Sequence, residues 1–135
     1  MQNQNIDIYT DGSCIPNPGK GGWAWIAIFS DGKEIQNSGS KQNTTNNYME
    51  ISAVLDFLEY FQVNINNPNY ILNIYSDSQL VINCSQKLWK RNKNLELWKK
   101  YDYVSKNLNI KYTWVKSHSG NKYNEFVDCL AKNPK

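Results

Sequence analysis

Apolar and polar residues alternate with a period of two from Ile6 to Thr10. This predicts a β-strand with Ile6, Ile8 and Thr10 on one side and Asp7, Tyr9 and Asp11 on the other. The run stops at Gly12. Cys14 to Gly22 carries two prolines and three glycines and reads as a loop whose backbone can approach a partner closely. Gly22 to Phe29 is apolar at both parities, so it predicts a second strand covered on both faces. Asp31-Gly32 signals a tight turn, and Lys33 to Ser38 reads as the returning antiparallel strand.

The period then changes. Thr44-Thr45-Asn46-Asn47 supplies helix-capping residues, and a helix follows to about Phe61. Glu50 shares its apolar face with Val54, Phe57, Leu58 and Phe61, whereas Ser52, Asp56 and Glu59 lie opposite. A loop from Val63 to Asn69 leads to a buried-type strand, Tyr70 to Tyr75. Ser76-Asp77-Ser78 closes that strand and opens a helix through about Gln86; another helix runs from about Leu95 to Asn107. Ile110 to Val115 is the fifth strand, Lys116 to Asn121 a polar loop, and Asn124 to Lys132 a short final helix. The order β-β-β-α-β-α-α-β-α predicts one α/β domain over residues 1–135. Its sheet is five-stranded and mixed, three strands antiparallel and two parallel, with flanking helices.

Four carboxylates stand out against this frame. Aspartate is depleted from strands, so Asp11 either starts a turn or holds something. Asp77, also at a strand end, is by itself explained as a helix N-cap. Glu50 could serve as a capping glutamate, but it faces inward, and a buried carboxylate needs a cation or a donor. If strand one lies beside strand four, Asp11 and Asp77 leave the same sheet edge, where open α/β sheets place their sites. Glu50 and Asp128 can complete a ring of four. Such a ring repels itself unless cations oppose it, and hard oxygen ligands without paired Cys or His point to Mg²⁺ or Mn²⁺. Two such ions can activate a water and stabilise the leaving oxygen in phosphodiester displacement. His118, the only histidine, is either a bystander or a proton carrier on a nearby loop. Glu125 lies three residues before Asp128 on one side of the last helix.

Composition adds boundaries. A net charge of +3 permits a polyanionic partner without demonstrating one. Three cysteines, an odd number without metal-ligand spacing, read as reduced thiols of a cytosolic protein. No apolar run reaches membrane-spanning length and no room exists for a signal peptide before the first strand, so the expectation is cytoplasmic, without a membrane partner. From Lys87 to Lys100, six basic residues interleave with Trp89 and Trp98. A solvated helix face is the usual fate of such a run, and the tryptophans favour nucleic acid as its partner.

Taken in order, these residues resemble type 1 ribonuclease H. The likeness rests on Thr10-Asp11-Gly12-Ser13-Cys14 with Asn17-Pro18-Gly19, Thr45-Asn46-Asn47 before Met49-Glu50, and Ser76-Asp77-Ser78-Gln79. Val115-Lys116 with His118, and finally Asp128, extend it to the last helix. The resemblance implies an RNase H-like fold and an endoribonuclease that hydrolyses the RNA strand of RNA/DNA hybrids, leaving 3′-hydroxyl and 5′-phosphate ends. It implies two Mg²⁺ ions, with Mn²⁺ as a substitute, on Asp11, Glu50, Asp77 and Asp128. Glu125 and His118 match positions for product release and proton handling. The Cys14 backbone, Asn17 and Gln79 match readers of 2′-hydroxyls, while Thr45 and Asn46 match a grip on a DNA-strand phosphate. Trp89, with the basic stretch, would touch the hybrid, and the protein would act as a monomer. The segment between Asp77 and strand five is shorter than in members with a long basic protrusion, and Ser117 stands where a glycine often precedes the histidine. A non-catalytic hybrid-binding module, or another nuclease or strand-transfer enzyme on the same fold, are the competing expectations.

Overall fold

A computed structural model describes residues 4–134. The elements follow the expected order: β1 (Gln4–Cys14), β2 (Gly19–Phe29), β3 (Glu34–Thr44), α1 (Asn46–Asn64), β4 (Tyr70–Ser76), α2 (Gln79–Ser85), α3 (Leu95–Ser105), β5 (Asn109–Trp114) and α4 (Lys122–Lys132). They build one five-stranded sheet in the order β3-β2-β1-β4-β5. β1 pairs antiparallel with β2 and parallel with β4, β2 antiparallel with β3, and β4 parallel with β5. β4 lies beside β1, the arrangement that the sequence left as one possibility and that the helical crossovers allow.

The largest boundary differences from the sequence reading lie in the first hairpins. The segment read as a loop from Cys14 to Gly22 is mostly strand, because Ser13 pairs with Gly22 and Cys14 with Gly21. Only residues 15–18 lie outside β1 and β2. β3 continues past Ser38 to Thr44, its backbone pairing with Gly19 to Trp23. Its side chains from Gly39 to Asn43 are largely solvent-facing and polar, so alternation could not reveal it. A ladder made by the main chain carries no side-chain signature.

The sheet is covered on both faces. On one, Ile6, Ile8, Leu72 and Ile74 pack with Trp25 against Val54, Phe57, Leu58 and Phe61 of α1, with α3 contributing Leu97, Trp98, Tyr101 and Val104. α1 is buried beyond its expected stripe: Ile51, Ala53 and Leu55 are also covered. Even Asp56 of the presumed outer face is engaged, accepting hydrogen bonds from Trp25 Nε1 at 2.8 Å and Asn37 Nδ2 at 3.0 Å. On the opposite face α4 lays Val127 and Ala131 on Ala24 and Ile26. β2 is therefore apolar at both parities because it is covered twice. At Gly22 a Cβ would collide with Ala131 O and Pro134, so a bare backbone lets the last turn of α4 close on β2.

The basic stretch folds differently from its sequence reading. Trp98 is only 3% exposed and belongs to the core, not to a cationic face. Arg91 lies over its ring at 4.6 Å, donates from Nε to Cys84 O at 2.9 Å, and binds both Asp102 carboxylate oxygens at 2.9 and 2.7 Å. Arg91 is thus committed to joining α2 and α3. Trp89 does remain 46% exposed. No helix among the described residues is long and apolar enough to cross a membrane.

Candidate active site

The parallel register fixes the first pair of acids. Tyr9 lies opposite Tyr75 and Thr10 opposite Ser76, so Asp11 and Asp77 follow at the same edge. The end of β4 is held there by its neighbours: Val115 N–H donates to Ser76 O at 2.9 Å and Trp114 Nε1 to Asp77 O at 3.0 Å. The buried Ser76 Oγ accepts from Ser78 N–H at 3.0 Å, turning the chain into α2.

Glu50 arrives from α1. Thr45 caps that helix, its side chain accepting from Tyr48 N–H at 3.2 Å, which sets where the first turn begins. Gly12 then lets the helix come close: a Cβ there would overlap the backbone of Met49 and Glu50. With hydrogen in that place, the helix presses against the end of β1 and its carboxylate reaches Asp11.

One carboxylate oxygen from each of Asp11, Glu50 and Asp77 lies within 4.8 Å of the others. Asp11 is 3% exposed and accepts one hydrogen bond, from Gly12 N–H at 2.9 Å. Glu50 Oε1 is buried and finds no hydrogen-bond partner among the described residues. Burial, with the Asp77 charge second, pushes the Asp11 carboxyl up to about 8. Burial raises Glu50 well above the usual carboxylate range, reinforced by Asp11 and Asp77. Asp77 is raised too, chiefly by burial and then by Asp128. Three acids held where their charged forms are costly, one with an orphaned oxygen, are a group that could hold a divalent cation.

Asp128 lies outside this group of three. Its Oδ2 pairs with Lys132 Nζ at 3.2 Å, one helical turn further along α4. Its charge still bears on Asp11 and Asp77, so it flanks the cluster. Glu125, in the first turn of α4, is exposed. His118 is exposed on its loop with φ of 53°, a left-handed backbone conformation next to Ser117.

Three of the residues expected to touch nucleic acid are joined to one another. Asn46 N–H donates to Asn17 Oδ1 at 3.1 Å, and Asn46 Oδ1 accepts from Cys14 N–H at 2.6 Å. These two bonds stitch residues 14–17 to the start of α1. The Cys14 N–H is consequently engaged by Asn46, and the thiol faces Pro16 O and Thr44 O. Thr45, Asn46 and Asn17 are exposed, as is Gln79 at the first turn of α2. Sequence reasoning missed Trp114, Arg91 and Lys132. The spacing of Lys132, four residues after Asp128, was a usable signal. Trp114 gave none, because its hydrogen bond crosses to another strand.

The profile of the family described as RNase H matches residues 3–135. A ribonuclease H of Wolbachia sp. subsp. Drosophila simulans (strain wRi) is 42% identical over 146 residues, covering 98% of this chain and 96% of that protein. The N-terminal RNase H domain of a Mycobacterium tuberculosis protein superposes with a TM-score of 0.82 at 22% identity, covering 96% of this chain and 92% of that one. LC11-RNase H1, solved in complex with an RNA/DNA hybrid, superposes at 0.80 with 22% identity, covering 95% and 97%. With sequence likeness over nearly its whole length and three converging acids on the same sheet topology, this chain belongs to the RNase H family of ribonuclease enzymes.

Proposed function

We propose that this enzyme hydrolyses the RNA strand of RNA/DNA hybrids and leaves 3′-hydroxyl and 5′-phosphate ends. Asp11, Glu50, Asp77 and Asp128 would hold two Mg²⁺ ions, with Mn²⁺ able to replace them. The observation that carries this reading is the trio of acids within 4.8 Å, including a buried oxygen without a partner. Oxygen-only donors suit hard divalent cations. When bound, such ions supply the charge that activates water and stabilises a departing 3′-oxygen.

The chain's own residues do the rest. Asp11, near both Glu50 and Asp77, would help to hold both ions. Asp128 is free to leave Lys132 and turn toward the cluster, a partly exposed ion pair being weakly held. His118 on its exposed loop carries a proton to or from the site, and Glu125 assists release of product. Asn17, Gln79 and the Cys14 backbone read 2′-hydroxyls; Thr45 and Asn46, at the N-terminus of α1, receive a DNA phosphate. Trp89, exposed beside Lys87 and Lys90, meets the hybrid further along. A hybrid seen on the structurally similar LC11-RNase H1 supports this choice of substrate. The protein acts in this reading as a cytoplasmic monomer with a single domain.

An end-labelled RNA/DNA hybrid tests it, with RNA/RNA and DNA/DNA duplexes and a chelator control alongside. Chelator-sensitive cutting of only the hybrid's RNA strand is expected. Tight hybrid binding without cutting in either Mg²⁺ or Mn²⁺ would show a binding module instead.

A further inference from the structure

A groove of about 280 Å³ lies over the β1-β2-β3 side of the sheet, bounded by Ser13, two residues beyond Asp11, and by Lys132, the ion-pair partner of Asp128. Its floor runs from β1 across β2 to β3, through Ser13, Gly22 and Ser40, and the end of α4 walls it with Lys132. Lys20 rises from β2 at its rim. Among the described residues no Asp or Glu lines it. Two cations, two hydroxyls and stretches of bare backbone make a surface for an anion, next to a site that is itself strongly acidic.

The geometry ties this groove to the cluster. Ser13 lies two residues after Asp11, so both side chains leave β1 on the same face. Lys132 spans the boundary, pairing with Asp128 on the cluster side while lining the groove on the other. The Lys20 side chain makes no hydrogen bond or ion pair among the described residues, and its charge is uncommitted. Neighbouring strands lie ~4.8 Å apart, so the groove over β1, β2 and β3 begins within one or two strand widths of Asp11. That separation suits the next phosphate along one nucleic-acid strand. The groove is also distinct from Thr45 and Asn46, which sit at the start of α1.

We propose that this groove is a phosphate subsite, seating a second phosphate of the RNA strand beside the one under attack. It rests on the function proposed above. Lys20 and Lys132 supply charge, and the Ser13 and Ser40 hydroxyls supply donors. The subsite lets a polyanion cross a cluster of acids without being repelled from its far side, and it sets which inter-nucleotide bond lies over Asp11.

Hybrids carrying one uncharged methylphosphonate, moved position by position through the RNA phosphates flanking the cut, read the subsite directly. The variants Lys20→Ala and Ser40→Glu lie at exposed positions and leave every carboxylate of the cluster in place. Lys20→Ala is expected to raise KM about fivefold and to lower the salt slope of binding by about one, as loss of one phosphate contact does. Ser40→Glu, which puts a negative charge in the groove, raises KM further. At one methylphosphonate position the wild type weakens while Lys20→Ala does not, since the contact is already gone. Unchanged KM in both variants, or equal methylphosphonate penalties in wild type and variants at every position, would overturn the subsite. A wild type that cuts the hybrid yet shows no such coupling leaves the proposed function standing and removes the groove alone. A wild type that neither binds nor cuts the hybrid overturns both.

Discussion

Asp11 combines near-complete burial, a single backbone donor and two acidic neighbours. Its carboxyl, raised to about 8, binds a proton in the folded chain that the unfolded chain has released. Stability linked to it is therefore full below the ordinary aspartate range and is lost as pH climbs toward 8. In chelator, the melting temperature should fall between pH 5 and pH 8, a window that follows from the raised acids. Asp11→Asn should flatten that fall while abolishing hybrid cleavage. A melting temperature independent of pH in the metal-free wild type would show that the cluster is not strained. At this scale the sequence was legible where an acid broke its local pattern, as Asp11 did at a strand end and Glu50 did in an apolar stripe. It was silent where the partner was remote: Trp114 holding Asp77 O from β5 could not be seen.

Elements meet at two places where a single residue decides the fit. Gly12→Ala would drive a methyl into the Met49–Glu50 backbone and lever α1 away from β1. The cost should exceed about 2 kcal/mol, since overpacking against backbone has little room to relax. Urea unfolding measures it, and a cost near zero would mean the helix is free to shift. Arg91 holds α2 to α3 by stacking on Trp98 and by a two-pronged grip on Asp102. Arg91→Lys keeps the charge but loses the fork and the stack, so it should cost nearly as much as Arg91→Ala, about 1–3 kcal/mol. Full rescue by lysine would reduce Arg91 to a simple charge. The type and order of every element were readable from periodicity and turn residues. The reach of β3 was not, because it pairs on through main chain to Thr44 while the side chains of residues 40–43 face water. Trp98 misled for a different reason, since a tryptophan among lysines looks the same whether it faces solvent or core.

Over the whole molecule, the cluster opposes folding once its acids ionise, and bound cations would relieve that. Mg²⁺ should raise the melting temperature by mass action on the native state, and more so at pH 8 than at pH 5, where protons already quiet the acids. Equal stabilisation of the wild type and Asp11→Asn would place the ion elsewhere. The layered α/β architecture was readable from element order. Its consequence for Asp128 was not: the spacing signalled the reach to Lys132, but not that the side chain stays outside the group of three.

The parallel pairing of β1 with β4 joins parts of the chain that are far apart in sequence. The exposed turn around Asn66 to Asn69 separates Asp11 and Glu50 from Asp77 and Asp128. A chain cut there yields two fragments, each with half of the acids and neither with the central strand pair. Cleavage activity would then appear only on reassembly, so the divided enzyme becomes a complementation reporter whose signal measures association of whatever is fused to its halves.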